Sequence, residues 1–447
     1  MSLPRYASYK DSGVQWLGKV PRHWTVMPIR FAARLESGHT PSRNRPDWWE
    51  NCTVPWFSLA DVSQIRRNGV DLIFDTKEKI SELGLQNSSA RRLPAGTVML
   101  SRTASVGFAA IMGVEMATTQ DFANWVCGPS LRPRFLLYVF RAMRGEFARL
   151  MIGSTHNTIY MPDIAAFRFA LPSVEEQDAA TNFLDREITK IDSLIAEQEK
   201  LIALLSEKRQ ATISQAVTKG LDPNAPMKDS GVAWLGEVPA HWQVKRFRDA
   251  CDSISTGPFG TALGSDDYIS GGVPVINPSH IVDSSIVPDE DVSVANEAAE
   301  RLSSWTLRAG DIVVARRGEL GRAAIIEAKN DGWICGTGSL RVTPNQSEAT
   351  PGFLHAGLQS TYAREWLNQE SVGSTMANLN EGILGSLPIA LPCSTEEQTQ
   401  LVRILSQRIS DLGATAALAV KSVALLQERR NALIAAAVTG QVDVRNA

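Results

Sequence analysis

A block of 17 residues stands twice in this chain, and any fold the chain adopts must accommodate it in both places. Lys10–Val26 (KDSGVQWLGKVPRHWTV) returns as Lys228–Val244 (KDSGVAWLGEVPAHWQV), offset by 218 in a chain of 447 residues, with four of the 17 positions changed. Two tryptophans, a His-Trp pair and a Val-Pro do not recur in register by chance. A chain made of two copies of one unit can fold with approximate two-fold symmetry and offer two similar surfaces to one elongated partner.

The repeat runs on. Leu93-Pro94-Ala95-Gly96-Thr97-Val98-Met99-Leu100-Ser101-Arg102 matches Leu307-Arg308-Ala309-Gly310-Asp311-Ile312-Val313-Val314-Ala315-Arg316 at an offset of 214. Gly153-Ser154-Thr155 matches Gly373-Ser374-Thr375, and Ala170-Leu171-Pro172 matches Ala390-Leu391-Pro392, both at 220; Glu175-Glu176-Gln177 matches Glu396-Glu397-Gln398 at 221. So small a drift means loop insertions in one architecture. Between these anchors the copies diverge, as expected of two modules doing one job on different targets.

Within each copy, residues 27–173 and 245–392 carry short β-like runs (Val98-Met99-Leu100, Ile312-Val313-Val314) punctuated by Gly and Pro, with helical stretches at Phe135–Met151 and Pro351–Asn368. These read as mixed α/β globules. From Glu175 to about Val217 there is neither Pro nor Gly, and Leu184, Ile188, Ile191, Ile195, Gln198, Ile202, Leu205, Arg209 and Thr212 alternate in steps of four and three. Adding 221 gives Leu405, Ile409, Leu412, Ala416, Ala419, Val423, Leu426, Arg430 and Leu433, a heptad seam in the same register. About 40 residues at 1.5 Å each make a rod of roughly 60 Å. Two-fold symmetry would pair two such rods antiparallel. The expected fold is α+β: residues 1–173 a first globule with its opening segment, 174–220 a first long helix, 221–392 a second globule, and 393–447 a second long helix.

This order of parts resembles the specificity subunits of type I restriction-modification systems, over nearly the whole chain. The resemblance rests on the DSGVxWLGxVPxHW opening of each half, on Ser37-Gly38-His39-Thr40-Pro41-Ser42-Arg43 before Trp48-Trp49, and on Thr256-Gly257-Pro258-Phe259-Gly260-Thr261 leading to Gly272-Val273-Pro274-Val275-Ile276. Ala309-Gly310-Asp311-Ile312 and the Glu-Glu-Gln start of each long helix complete it. It implies two target-recognition domains, each reading half of a split, asymmetric site on double-stranded DNA, with the helical pair setting the gap. It further implies two methyltransferase subunits as partners and, in larger assemblies, restriction/translocase subunits. S-adenosylmethionine, ATP and Mg would then sit in those partners, with no cofactor in this chain.

Base edges are read by Arg, Asn, Gln, Ser or Thr on a stiff support. In the first globule the candidates are Arg43, Asn44 and Arg45, then Arg102, Thr103 and Ser105, then Thr118, Thr119 and Gln120. In the second they are Asn277, Ser279 and His280, then Arg316, Arg317, Glu319 and Arg322, with Thr337 and Ser339. Arg102 and Arg316 follow β-like runs at matching places, which ranks them first. Arg66-Arg67 and Arg91-Arg92 read as phosphate contacts or solubilising charge. Arg132, Arg134, Arg141, Arg144 and Arg149 fall on one helical stretch that could line a duplex or face a protein partner. The net charge of −3 hides a contrast: residues 27–173 hold 17 Lys and Arg against 12 Asp and Glu, while residues 245–392 hold 11 against 18. The second globule would have to meet phosphate through a small basic cluster on an acidic body.

No catalytic motif stands out. There is no Pro-Pro pair, so the Asn/Asp-Pro-Pro-aromatic methylation motif is missing; Gly336-Thr337-Gly338 lacks the third glycine of GxGxxG, and no GxxxxGK[ST], GxSxG or HExxH occurs. His23-Trp24 and His241-Trp242 lack companions at metal-ligand spacing and read as frame residues. The rival classes are the recognition part of a self-contained or fused restriction enzyme and a coiled-coil assembly scaffold. Five scattered cysteines without a CxxC pair, and no run of about 18 uncharged apolar residues, point to a reducing, cytoplasmic setting.

Overall fold

The computed structural model describes residues 4–66, 70–151, 157–371 and 378–445. The repeated Gly-Ser-Thr triplets and Arg67 lie outside those ranges. The chain forms two compact units, Met1–Glu199 with Val420–Ala447, and Lys200–Ala419. Each unit therefore takes one globule and half of each long helix.

In the first unit a five-stranded sheet runs in the order Ala33–Ser37, Phe122–Cys127, Val98–Ser101, Ala109–Met112, Leu72–Ile73. The second unit repeats four of those places: Cys251–Thr256, Ser339–Pro344, Ile312–Ala315, Ala323–Ile325. A smaller sheet also recurs. Val54–Phe57 lies between Ala117–Thr118, parallel to it, and Glu78–Ile80, antiparallel. Val273–Ile276 likewise lies between Ile334–Cys335, parallel, and Ser293–Val294, antiparallel. The matched β-like runs are central strands whose side chains are buried on both faces, which is why they read as unbroken apolar runs rather than alternating ones.

The first long helix spans Val174–Lys219 and the second Thr395–Val438. Every seam position is buried or half-buried except Arg209, which is exposed. In the first unit Leu184 and Phe183 share one core with Phe135, Phe140 and Phe169 of the globule and with Ile434, Ala437 and Val438 of the second helix. In the second unit Ile213 and Val217 share a core with Phe353 and Leu391 of the globule and with Leu401 and Leu405. Burying such side chains contributes roughly 1.5–3 kcal/mol each, far more than intrinsic helix propensity. The helix halves are thus built into the globules rather than appended to them.

The duplicated block closes each unit. Gly220, just past the first helix, has a left-handed φ of +74° and sits against Pro239 and Trp242; Gly440, past the second, has φ +70° and sits against Pro21 and Trp24. Left-handed φ after a helix end favours glycine. Within the block, His23 meets Glu176 at 2.9 Å and His241 meets Glu397 at 3.0 Å, tying each opening segment to the first turn of a long helix. The following glutamine is fully buried in both copies. Gln177 bonds Ser130 O, Pro172 O and the Arg132 N–H, while Gln398 bonds Glu348 O, Pro392 O and the Thr350 N–H. That is what the Glu-Glu-Gln motif does.

The second long helix contains a stretch long and apolar enough, by length and composition alone, to cross a membrane, and little of that stretch is buried. The core helix of a soluble protein passes the same test, so one such helix is weak evidence for a membrane span.

Candidate nucleic-acid interface

The strongest shared feature of the two globules is an arginine at the end of a central strand. Arg102 donates from Nε to Gln120 O at 2.9 Å and from Nη1 to Ile159 O at 3.2 Å. Arg316 donates from Nε to Leu379 O at 3.0 Å and from Nη1 to Thr337 O at 3.3 Å. Gln120 corresponds to Thr337, and Ile159 to Leu379, so one guanidinium braces the same two loops in each unit. The planar fork spends part of its donor set on these carbonyls.

A second shared feature is a close chain crossing. A Cβ on Gly38 would lie 2.1 Å from Thr119 O, and one on Gly257 would lie 2.0 Å from Gly336 O. Each crossing is stapled by a tryptophan: Trp56 Nε1 donates to His39 O at 3.2 Å and Trp305 Nε1 to Thr256 O at 2.9 Å. Gly38 and Gly257 directly follow the strands Ala33–Ser37 and Cys251–Thr256, where the absence of a Cβ permits this close backbone approach.

Around these braces the units differ. In the first, Arg43 stacks 3.7 Å from the Trp49 ring centroid and donates to Glu78 at 2.6 Å. Arg45 pairs with Asp47 at 2.8 Å and lies over Trp48. Asn44 is exposed between them, and Thr40 donates to Gln120 Oε1 at 2.7 Å. Thr103 bridges to Thr158, and Ser105 accepts from Arg66. In the second unit an open cleft is lined by Phe259, Trp305, Arg316, Arg317, Thr337 and Asn380. Phe259 is 68% exposed there. Burial, and then the neighbouring Arg317, press the Arg316 pKa below its ordinary value. Arg317 is exposed and has no acceptor among the described residues. Ser279 is exposed and Asn277 half-buried.

Several expectations are corrected by burial. Thr118 and Thr119 lie inside the first globule, Thr118 accepting from Asn124 Nδ2 at 2.8 Å. His280 is buried beneath its own turn, with Nδ1 accepting from the Asn277 N–H, and burial lowers its pKa. Ser339 is fully buried and donates to Ile276 O at 3.0 Å. No base edge reaches these four in this conformation. Glu319 pairs with Arg364 at 2.9 Å, and Arg322 turns its Nε inward without an acceptor among the described residues.

The five arginines expected on one helix are divided between two, Pro133–Ala142 and Arg144–Leu150, with Arg132 just before the first. They do not form a free basic face. Arg132 pairs with Asp178 at 3.0 Å, Arg134 with Asp185 at 2.6 Å, Arg141 with Asp71, and Arg149 with Glu146 at 2.7 Å. Arg91 pairs with Glu36 and Arg92 with Glu82.

Fold and site together define a two-headed protein: one frame used twice, one brace used twice, and unlike side chains around it. The chain belongs to the family of type I restriction modification DNA specificity domains, whose model matches residues 21–203 and 239–419. It is 24% identical over 287 residues to the MjaIX specificity subunit of Methanocaldococcus jannaschii, covering 62% of each chain. It is 26% identical over 241 residues to the EcoBI specificity subunit of Escherichia coli, covering 53% of this chain and 50% of that one. These matches thus span less than two thirds of the relatives' own length. Among solved structures, the fold matches the HsdS subunit from Thermoanaerobacter tengcongensis with a TM-score of 0.56 at 17% identity, over 94% of this chain and 98% of that one. A chain from a study of complex assembly and conformational transition of the type I R-M system matches with a TM-score of 0.71, at the same identity and coverage.

Proposed function

We propose that this chain is the DNA-recognition subunit of a type I restriction-modification complex, working in the cytoplasm and performing no chemistry itself. The observation that carries the reading is the pair of braces at Arg102 and Arg316, which join the same two loops in each unit and are set among unlike exposed residues. Unlike heads on one frame read unlike half-sites, so the target is bipartite and asymmetric. The base-reading groups are Arg43, Asn44, Arg45, Arg102 and Gln120 in the first head, and Arg316, Arg317, Thr337, Asn277 and Ser279 in the second. Stiff paired helices hold a set distance where a flexible linker would give a broad one, and together they act as the spacer between half-sites. The partners are two methyltransferase subunits, which bring S-adenosylmethionine and flip the adenine, and restriction subunits that use ATP and Mg. Leu418 and Leu425, 66% and 56% exposed on the second helix, belong to the docking surface. Mapping methylated adenines in a host carrying this chain with its methyltransferase tests the reading: a split asymmetric motif supports it, and a continuous or palindromic one sinks it. A whole heptad inserted into both helices adds about 10 Å of rod and lengthens the spacer by roughly three base pairs.

A further inference from the structure

The first unit contains a charged cavity. It opens between the globule and the two helix halves of that unit, and guanidiniums of Arg66, Arg134, Arg141, Arg144 and Arg430 line it against the carboxylates of Asp71, Asp185 and Asp192. Its volume is about 190 Å³, enough for a tetrahedral oxyanion with a few waters. The carboxylates are already used. Asp71 is shared by Arg134 and Arg141, Asp185 accepts from Arg134 and Tyr138, and Asp192 accepts from Arg430 at 2.7 Å. Five cations against three anions leave an excess of two positive charges. Arg66 donates to the neutral Ser105 hydroxyl, and Arg144, at the cavity mouth, faces no carboxylate among the described residues. Partial burial, then the nearby Arg430 and Arg141, lower the Arg144 pKa from its ordinary value.

Shared architecture does not require this charge. Asp185 and Asp192 correspond, at the helix offset of 221, to Ser406 and Gly413, and Arg430 corresponds to Arg209, which is exposed. Around the matching region of the second unit, neutral groups do the joining: Gln210 donates to Gln359 O, and Ser214 pairs with Thr361. The two helix carboxylates of this cavity are thus particular to the first unit's site rather than part of the common frame.

We propose that this cavity binds a phosphate-type oxyanion, held by Arg66 and Arg144 at the mouth. A guanidinium fork matches tetrahedral oxyanions in geometry as well as charge. The anion is either free inorganic phosphate or a phosphate of the DNA backbone, and the two sources are separable.

The test is isothermal titration of the full chain, in complex with its methyltransferase, with inorganic phosphate, using chloride at matched ionic strength as control. Arg144→Gln and Arg66→Gln alter exposed side chains, so both variants should fold; circular dichroism and thermal melting verify this. The expected result is saturable phosphate binding that each substitution weakens at least tenfold, while Arg308→Gln, at an exposed arginine paired with Asp331 in the other unit, leaves it unchanged. Non-target duplex added to the phosphate complex then assigns the source. Displacement, with weaker binding of all duplexes by the Arg144 variant, identifies backbone phosphate; no displacement identifies a free anion. Phosphate that binds no better than chloride, or equally well to both folded variants, overturns the proposal. Neither result alters the methylation map that tests the DNA-recognition reading.

Discussion

The guanidinium of Arg430 donates to the carboxylate of Asp192 at 2.7 Å, across 238 residues of sequence. Both side chains are partly buried. Losing one partner leaves the other charge poorly solvated, so Arg430→Ala or Asp192→Ala should destabilise the chain by roughly 1–3 kcal/mol. The exposed counterpart Arg209 should tolerate alanine within about 0.5 kcal/mol. Chemical denaturation with a double-mutant cycle measures the coupling; additive losses at 192 and 430 would show that the contact carries nothing.

Gln177 and Gln398 each satisfy three backbone groups where the helix meets its globule. Leucine keeps the volume and orphans those groups. Gln177→Leu and Gln398→Leu should each cost about 2–4 kcal/mol. A midpoint shift in urea unfolding reads the loss, and equal midpoints for variant and parent would refute it.

Alanine at Gly38 or Gly257 must push backbone aside, because the added methyl would lie 2.1 or 2.0 Å from a carbonyl oxygen. Overpacking of this kind costs roughly 1–3 kcal/mol. Each variant should degrade reading of one half-site and spare the other. Methylation mapping with randomised targets tells these outcomes apart; simultaneous loss at both half-sites would count against independent heads.

Arg317→Gln should weaken duplex binding through the second head. If Arg317 reads a base edge, discrimination at that position falls by about 1–3 kcal/mol. If it meets phosphate, all duplexes lose alike and the slope of log K against log salt becomes shallower by about 0.9. An unchanged affinity and slope would remove it from the interface.

His355 on the helix Pro351–Leu358 is half-buried and donates from Nε2 to Ala323 O at 3.0 Å. Burial lowers its pKa from the ordinary 6.5. The unfolded chain therefore takes up this proton at a higher pH than the folded one. The second unit should be stable above about pH 6.5 and lose stability as pH falls through the window below it. His355→Gln should flatten that dependence in thermal melts between pH 7 and 5; a parallel profile would contradict the assignment.

Much of the frame was legible. The heptad registers placed both long helices, and all seam positions but Arg209 are covered. The matched strands ending in Arg102 and Arg316 are central strands of equivalent sheets. The site was less legible. Arg102 and Arg316 drew attention through equal position, yet nothing local said that their guanidiniums would brace two loops. Thr118, Thr119, His280 and Ser339 have the chemistry of base readers but are buried. Polarity along a chain does not say which face of a short, two-sided strand meets solvent.

By itself the sequence determined the doubling, the helix periodicity and the glycines at crossings and helix ends. Those are properties of local conformation and of burial repeated at fixed intervals, and composition records both. Only the tertiary structure decided which arginines are spent on carboxylates, and that five guanidiniums line one cavity of the first unit against three carboxylates. Charge pairing is settled by distances of a few ångströms between residues far apart in the chain, and spacing along the chain does not encode those distances.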